Sequence, residues 1–362
     1  MKKINILIIL PSLAGGGAEK VMLILAKALE NKKFSVKILI LNKVGPLKID
    51  IKNENIIDLK SKKLRYSIPK LIKEIRQHNP DIIFSTFPHI TLPLLLLRRL
   101  FFKEIKIIAR EPNMVSPSLD HSPYSIIIKI LHRLLMPRVD KLIVTSKAME
   151  NEFLFRGLKN EKLHLIYNPI DYNNLRNIKI IKRFKGEGSR FVIVGRLTYQ
   201  KGIDRLIPIL KNLESFHLTI IGEGPDKNKL QELILKLNLN DHIKFIGFSE
   251  DAKAYIAGAD YLILPSRWEG LPNVALEALI LGTPVISFTD VVSLLDFINL
   301  VPKGSIKICD NSSDMEKILN LVSSRSDYLY PKLRANLLKT YNTPVSYAKE
   351  MDKIFRELMH DK

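Results

Sequence analysis

The stretch SRWEGLPNVALEAL, residues 266–279, places two glutamates around a turn that is rich in Gly and Pro. The preceding YLIL, residues 261–264, has the short apolar character of a buried strand, whereas apolar residues recur at helical spacing after Pro272. Gly282 and Pro284 then end the predicted helix. The pattern is strand, loop, helix, and the loop lies at the carboxyl end of a strand, where open α/β sheets bind ligands.

Predicted strands and helices alternate along the whole chain. Strands are predicted in the first half at residues 4–10, 35–41, 82–85, 105–109, 141–145 and 163–167, with helices such as 18–30 and 68–78. The pattern restarts in the second half, with strands at 191–194, 217–221, 243–246, 261–264 and 284–287 and helices at 202–213, 226–237 and 273–281. The alternation predicts an α/β protein with parallel sheets, and the restart predicts two Rossmann-like domains rather than one barrel.

The boundary between the two domains is expected within residues 168–189, where NPIDYNNLRN gives way to the basic, Gly-containing KRFKGEGS. We therefore assign the first domain to residues 1–170 and the second to residues 188–344. A last helix within residues 345–362 follows Pro344 and is expected to pack back on the first domain.

The composition is ordinary for a folded protein. The 362 residues suffice for two domains, and 46% of them are hydrophobic while 26% are charged. The single cysteine, Cys309, cannot form an internal disulfide, which fits a cytoplasmic location. No apolar run approaches the roughly 18 residues of a membrane-spanning helix. The N-terminal MKKINILIIL resembles a signal peptide, but residues 4–10 are at the short limit for such a segment and equally form a first strand.

Positive charge is concentrated in the first half. Residues 1–170 hold 30 Lys and Arg against 14 Asp and Glu, a net charge of +16, and the remainder contributes +4 to the total of +20. Residues 92–106 and 124–138 mix bulky apolar residues with Arg and Lys, as segments on an anionic membrane surface do, although buried helices with solvated edges look alike. Arg98 and Arg99 are the expected anchor. Nucleic acid is not expected, because no zinc-finger spacing or RNP-like aromatic string accompanies the charge.

A glycine-rich loop follows the first predicted strand. PSLAGGGAEK, residues 11–20, opens a helix, so the backbone at Gly16 and Gly17 can receive an anion or let a sugar approach closely. The loop is not GxGxxG, and a dinucleotide site is therefore not indicated.

Two loops of the second half have the same position after a strand. VGRLTYQKG, residues 194–202, brings Arg196 and Lys201 into one turn, where the two cations either converge on a polyanion or stay solvated. IGEGP, residues 221–225, is a strand-to-helix turn whose glycines either shape the turn or line a site.

Together these segments resemble the retaining glycosyltransferases of family 4, the glycosyl transferases group 1, which have the GT-B fold. The matching segments run in family order along nearly the whole chain: GGGAEK, SKAM, YNPID, VGRLTYQKG, IGEGP, FIGF and ADYLILPSRWEGLPNVALEALILGTPVI. The most specific match is in the second half, where Arg196, Lys201 and the E-x7-E pair Glu269 and Glu277 have family spacing. The resemblance implies two Rossmann-like domains that face each other across a cleft, with the acceptor bound by the first and the nucleotide-sugar donor by the second.

The chemistry of a nucleoside-diphosphate sugar gives the two glutamates separate roles. Glu277, inside the helix, suits the ribose hydroxyls, and the resemblance implies that Glu269 binds hydroxyls of the donor sugar. Backbone N–H groups at the helix N-terminus favour the diphosphate, and Arg196 and Lys201 would neutralise charge on the leaving group. The expected donor-binding residues are Gly16, Gly17, Gly195, Gly222, Phe248, Gly270, Leu271, Asn273, Val274 and Glu277.

Asn273 has an alternative role as the cap of the helix. No metal site or cofactor is expected, because the sequence has no D-x-D in a plausible loop and the family does not usually depend on one.

The first domain matches the family less closely. Many relatives have a histidine after the fourth strand, at the position of Thr86, whereas this chain has His89 three residues later. His89 would contact the reacting sugar, or it is a structural histidine. Arg110 and Glu111 stand where some relatives have polar residues, and we place them at the acceptor side of the active-site rim.

The resulting expectation is a peripheral enzyme on the inner face of the cell membrane. It would transfer a sugar from a nucleotide sugar, most simply UDP-linked, to a lipid-linked saccharide in surface polysaccharide synthesis, with retention of anomeric configuration. A nucleotide-sugar epimerase of the same fold is the alternative enzyme. A basic membrane-binding protein with a degenerate site is the non-enzymatic alternative, and the intact set of Arg196, Lys201, Glu269 and Glu277 argues against it.

Overall fold

The computed structural model describes residues 3–30, 33–48, 51–122, 124–171, 175, 188–323 and 342–360. The chain divides into two compact units: unit 1 comprises Met1–Pro169 and Asn342–Lys362, and unit 2 comprises Ile170–Tyr341. Most of the linker that we expected within residues 168–189 lies outside the described residues.

Within the described ranges, unit 1 contains a seven-stranded parallel sheet in the order β3-β2-β1-β4-β5-β6-β7. Its strands are β1 Ile4–Ser12, β2 Phe34–Asn42, β3 Ile56–Asp58, β4 Ile82–Thr86, β5 Lys106–Arg110, β6 Lys141–Val144 and β7 Leu163–Leu165. Its first helices are α1 Gly17–Ala28, α2 Ile68–His78, α3 Pro88–Phe101, α4 Val115–Asp120, α5 Ser125–Leu135 and α6 Lys147–Phe155.

Unit 2 has, in its described part, a six-stranded parallel sheet in the order β10-β9-β8-β11-β12-β13. Its strands are β8 Ser189–Val194, β9 Phe216–Ile221, β10 Ile243–Gly247, β11 Tyr261–Leu264, β12 Val285–Phe288 and β13 Ile306–Cys309. Its helices are α7 Ile203–Leu210, α8 Lys227–Lys236, α9 Ala252–Gly258, α10 Asn273–Leu281 and α11 Ser312–Ser323. The last helix, α12 Pro344–His360, belongs to unit 1.

Apolar side chains cover both faces of the unit 1 sheet, which explains why its strands are apolar runs rather than alternating ones. Along β1, Ile6 and Ile8 lie in the core that includes α1 and α12, whereas Leu7 and Ile9 lie in the core that includes α2 and α3. Helix α12 contributes buried residues to the first of these cores and packs against α1.

The sequence pattern missed β3 and β13. Strand β3 has only three residues and lies at the edge of its sheet, so it lacks the periodicity that identifies longer strands. The helix expected at 202–213 is shorter, Ile203–Leu210. Among the described helices, each is too short or too polar to cross a membrane.

Both sheets reverse their strand order once. In unit 1 the reversal lies between β1 and β4, and in unit 2 it lies between β8 and β11. Such a topological switch point separates the loops that follow two neighbouring strands and leaves room for a ligand at their carboxyl ends.

Candidate active site

The loops after β8 and β11 flank the switch point of unit 2 and contain the residues of the opening motif. Lys201 lies in the first loop, and Glu269 lies in the second. The Nζ atom of Lys201 is 2.5 Å from Oε1 of Glu269, and the Ser266 hydroxyl donates to the same oxygen at 2.7 Å. The Glu269 side chain is buried, so these two donors hold the carboxylate in one orientation.

A second set of bonds from Arg205 ties the two loops together. Its Nε donates to the carbonyl of Pro265 at 2.8 Å, and its guanidinium also donates to the carbonyl of Ser266 and to Asp290. The same guanidinium lies 4.1 Å from the centroid of the Phe288 ring. Arg205 therefore fixes the end of β11 relative to α7, the helix after the Lys201 loop.

Arg267 makes the corresponding connection from the other loop. It forms a two-pronged ion pair with Asp204 at 2.8 Å and donates to the carbonyl of Tyr199, above whose ring it lies. This hydrogen-bonded pair lowers the pKa of Asp204 and raises that of Arg267. Gln200 donates to the carbonyl of Trp268 across the same gap. These bonds hold the two loops in a defined arrangement relative to each other.

Gly222 is required by close packing of the loops after β8 and β9. Its φ is +140°, and a Cβ atom at this position would lie 1.9 Å from the carbonyl oxygen of Gly195. The glycines of VGR and IGEGP therefore bring two backbones into contact, which supports the turn-shaping interpretation of IGEGP. Whether they also line a donor site stays a prediction.

Helix α10 begins beside Glu269 with an uncapped N-terminus. Its N-cap is Pro272, which has no side chain to accept the first N–H groups. Asn273 is the first helical residue, so the alternative role of Asn273 as the cap is wrong. Glu277 is half-buried one turn further along, and Gly270 and Leu271 are buried in the preceding loop. Val274 is half-buried in the first turn.

Arg196 and Phe248 are exposed at the same edge of the sheet. Arg196 follows β8, and among the described residues no carboxylate lies within ion-pair distance of it. Phe248 follows β10 and is half exposed. The structure therefore separates the two predicted cations: Lys201 is bonded to Glu269, whereas Arg196 faces solvent.

The switch point of unit 1 is lined by the glycine loop and by the start of α3. Gly16 precedes α1, and a Cβ atom there would lie 2.2 Å from Oε2 of the buried Glu19. Because this carboxylate already occupies the space beside Gly16 and Gly17, the geometry favours the approach of a sugar over that of an anion.

His89 is exposed in the first turn of α3 and stacks on Phe87, with 5.5 Å between ring centroids. Partial desolvation lowers the pKa of its imidazole. Phe87 has a φ of +72°, a strained value for this residue type, and the hydroxyl of the buried Thr86 has no hydrogen-bond partner among the described residues. Strain and an unpaired polar group at a switch point are features of ligand sites.

Arg110 and Glu111, which we placed at the active-site rim, are both buried rather than exposed, and their roles at the acceptor side stay a prediction. Arg110, the last residue of β5, is fully buried, where it donates to Oδ1 of Asn168 at 2.5 Å and interacts with Tyr347 of α12. Desolvation lowers the pKa of Arg110. It is buried because its side chain points to the α1 and α12 face, as Ile108 does.

Glu111 lies on the opposite face and is also buried. Desolvation, with a further contribution from Glu152, raises the pKa of Glu111 to about 8. Its Oε1 atom has no hydrogen-bond partner within the described part of the chain.

Ser266, Arg205 and Arg267 were not among the residues predicted from the sequence. The partners of Arg205 and Arg267 are backbone carbonyls and distant carboxylates that no spacing rule identifies, whereas Ser266 donates to Glu269, three residues later. Ser266 was quoted in the opening stretch, and its spacing of three from Glu269 was the available signal.

Comparison with known proteins decides the family. The model of Glycosyltransferase Family 4 matches residues 15–174, and the model of Glycosyl transferases group 1 matches residues 176–339. The chain belongs to glycosyltransferase family 4. The predicted resemblance is confirmed, and the two models divide the chain near the division between units 1 and 2.

Two of the relatives have names that refer to O-antigen biosynthesis or to a saccharide linked to diphospho-undecaprenol. The O-antigen biosynthesis glycosyltransferase WclY of Escherichia coli is 26% identical over 80% of this chain and 84% of its own length. The N-acetylgalactosamine-N,N'-diacetylbacillosaminyl-diphospho-undecaprenol 4-alpha-N-acetylgalactosaminyltransferase of Campylobacter jejuni is 28% identical over 79% of this chain and 80% of its own. An uncharacterized glycosyltransferase of Methanocaldococcus jannaschii is 31% identical, but the match spans only 60% of this chain and 58% of that protein.

Solved structures with the same fold cover nearly the whole chain. Sucrose-phosphate synthase from Thermosynechococcus elongatus has a TM-score of 0.78 and 18% identity, with 99% of this chain and 100% of that one covered. Anabaena HepE, solved in complex with UDP, has a TM-score of 0.73 and 17% identity, with 98% and 100% covered. These likenesses confirm the α/β fold of GT-B type.

Proposed function

We propose that this family 4 protein transfers a sugar from a nucleotide sugar, UDP-linked, to a lipid-linked saccharide during surface polysaccharide assembly, with retention of configuration. The observation that carries the proposal is the group formed by Lys201, Ser266 and Glu269 next to the uncapped N-terminus of α10, at the switch point of unit 2. A fixed carboxylate can accept hydrogen bonds from sugar hydroxyls, and a cation and a helix N-terminus can bind a diphosphate. The names of the E. coli and C. jejuni relatives support the polysaccharide and the lipid-linked acceptor.

The same contacts define what each group would do. Lys201 has three N–H donors, so its ammonium can hold Glu269 and still donate to the diphosphate. Arg196 is exposed and would close on the leaving diphosphate from the solvent side, which stabilises the charge that develops there. Glu269 would bind hydroxyls of the donor sugar, and Glu277 the hydroxyls of the ribose. The half-buried amide of Val274 would face the phosphates.

The proposal includes no metal or cofactor, and it places the enzyme in the cytoplasm on the inner face of the cell membrane. Excess chelator tests the first statement: it should leave turnover unchanged, and a strict need for added divalent metal would contradict it. The UDP complex of the similarly folded HepE supports the choice of UDP as the leaving nucleotide.

A panel of nucleotide sugars tests the proposed reaction. Thermal unfolding should first identify the donor, because a ligand that binds the folded state raises the apparent stability. The protein is then incubated with this donor alone and with a lipid-linked saccharide. We expect at most slow hydrolysis without acceptor and a glycosylated lipid product with it. A donor sugar that changes its configuration without any acceptor would instead indicate an epimerase.

A further inference from the structure

Helix α5 of unit 1 presents a ridge of large apolar side chains to solvent. Its members, on consecutive turns of one helix, are Ile126, Ile127, Ile130 and Leu134, and their exposed fractions are 72%, 58%, 53% and 59%. We call these four residues the α5 ridge. Scattered single exposed apolar residues are normal on protein surfaces, but a contiguous group of this kind marks an interaction site.

The ridge is not the side on which α5 packs. At roughly 100° per residue, the four side chains lie within about one quadrant of the helix, whereas the buried His132 and Leu135 point the opposite way. The buried side already attaches α5 to α3 and to the core of unit 1. The apolar character of the outer side therefore has no purpose in the fold of the unit.

Basic residues flank the ridge on α5. Lys129 and Arg133 follow one another at i and i+4 along its border, and both are exposed. Lys129 forms an ion pair with Asp120, while among the described residues no carboxylate pairs with Arg133. An apolar face bordered by Lys and Arg is the arrangement of helices that lie in the interface of a bilayer.

An open basic cavity of about 640 Å³ lies where α3 ends and β5 begins. Arg99, Lys103 and Arg138 line it, are exposed, and have no ion-pair partner in the described part of the chain. Arg138 is three residues beyond the end of α5, so the cavity lies at the end of the same pair of packed helices.

Arg98 has a different role from the one that we predicted. Its guanidinium donates to Asp140 and to the carbonyl of Arg138, both at 2.5 Å, and Asp140 also accepts from the amide of Ile107. Arg98 thus fixes the end of α3 to the starts of β5 and β6. Both arginines line the cavity, but Arg98 is already bonded, whereas Arg99 forms no ion pair in the described part of the chain.

We propose that the α5 ridge and the basic cavity form a docking surface for an anionic lipid bilayer, with the ridge inserted among the acyl chains and the cavity occupied by lipid phosphate. The net charge of +16 on residues 1–170 is complementary to such a surface. Association with a second copy of the chain through this surface would place two positively charged surfaces against each other, and their repulsion opposes such a dimer. The proposal rests on the proposed function only in that a lipid-linked acceptor lies in that bilayer.

Vesicle binding tests the ridge. The native chain, Ile126→Gln/Ile130→Gln and the control Leu235→Gln/Leu321→Gln are sedimented with vesicles of phosphatidylglycerol and phosphatidylcholine, and with phosphatidylcholine alone. The control removes two side chains that are exposed to a similar degree on helices α8 and α11 of unit 2, and Gln preserves helix propensity at all four positions. We expect the ridge variant to bind anionic vesicles about tenfold more weakly than the native chain, and the control to bind as the native chain does.

A charge variant tests the cavity independently of the ridge. Arg99→Gln/Lys103→Gln, which changes two exposed residues of the cavity, should lose much of the preference for anionic over neutral vesicles, as should the native chain at high salt. Circular dichroism checks the folding of every variant. The proposal is overturned if the folded ridge variant binds like the native chain, if binding ignores lipid charge, or if sedimentation equilibrium shows a native dimer that the ridge variant dissociates.

Binding of UDP in the absence of lipid separates this proposal from the proposed function. The ridge variant should bind UDP as the native chain does. A native chain that binds vesicles but no nucleotide sugar would contradict the proposed transferase and support the docking surface. A native chain that binds a nucleotide sugar but no vesicles would support the transferase and contradict the docking surface.

Discussion

The switch points of units 1 and 2 use charged residues in opposite ways. In unit 2 the loops after β8 and β11 hold Lys201 and Glu269 in a bonded pair at the edge of the sheet, next to a helix N-terminus. In unit 1 the charged residues that follow β5, Arg110 and Glu111, are buried inside the unit, and the edge itself is formed by glycines and by His89. From this difference we expect a charged ligand at the edge of unit 2 and a neutral one at the edge of unit 1.

The organisation of the unit 2 edge comes from bonds between its loops. Arg205 and Arg267 each connect the loop after β11 to the segment around α7 through several hydrogen bonds. Charges fixed in this way stabilise a transition state without reorganisation during the reaction. Removal of a fixed charge should therefore have the largest effect on turnover.

The largest effect is expected at the two cations. Arg196→Ala or Lys201→Ala should lower turnover about a hundredfold, on the order of 3 kcal/mol, which is the usual scale for one group that stabilises charge in the transition state. Steady-state kinetics with the identified donor measure it. Lys211→Ala, which removes an exposed lysine of the same unit, is the matched control and should leave turnover unchanged. Near-normal turnover in both Arg196→Ala and Lys201→Ala would contradict the claim that the charged groups at the edge of unit 2 stabilise the leaving group.

The next effect concerns stability in unit 1. Burial raises the pKa of Glu111 to about 8, so the folded state holds a proton that the unfolded state releases. The contribution of Glu111 is complete below its ordinary pKa of 4.5 and is lost as pH rises to about 8. Between pH 6.5 and 8.5, the free energy of unfolding of the native chain should therefore fall by about 2 kcal/mol relative to that of Glu111→Gln.

Urea unfolding of both proteins between pH 6.5 and 8.5 measures this difference. The buried His132, whose pKa is lowered to about 4 by desolvation and by Arg156, is present in both proteins, so its effect cancels in the difference. Parallel stability curves for the native chain and Glu111→Gln would show that Glu111 is ionised in the folded state and that its burial is not as described.

The two glutamates of unit 2 should differ in their effect on nucleotide affinity. Glu277→Ala should weaken UDP binding about tenfold, because a hydrogen bond to a charged group contributes roughly 1.5 kcal/mol or more. Glu269→Ala should spare UDP and impair use of the sugar. Calorimetry with UDP measures both, and equal losses would refute the separate roles.

The sequence predicted where the motif residues of unit 2 lie in the fold but not the burial of Arg110 and Glu111 in unit 1, for a physical reason. Arg196, Lys201, Glu269 and Glu277 occur in loops or a helix start next to strands, where local spacing determines position. Arg110 follows the same rule, but the face on which its side chain lies depends on strand register and on α12, more than 200 residues away in the chain. The motif residue Asn168 similarly accepts a hydrogen bond from the buried Arg110, 58 residues earlier in the chain.

The smallest effect is expected at the neutral edge. His89 is exposed, and its lowered pKa keeps the imidazole uncharged at neutral pH, so His89→Ala removes at most one ordinary hydrogen bond to substrate. The Michaelis constant for the acceptor should rise by about fivefold or less, and turnover should change little. A hundredfold loss of turnover in His89→Ala would make unit 1 the site of the chemistry and reverse the comparison.

The central claim is that the nucleoside diphosphate binds at the switch point of unit 2. Hydrogen exchange of the native chain with and without UDP, read by mass spectrometry of peptides, tests it most directly. The account predicts strong protection of residues 195–202 and 266–279, and little change in residues 82–92. Protection confined to the glycine loop at residues 11–20, with none in the two unit 2 segments, would contradict it.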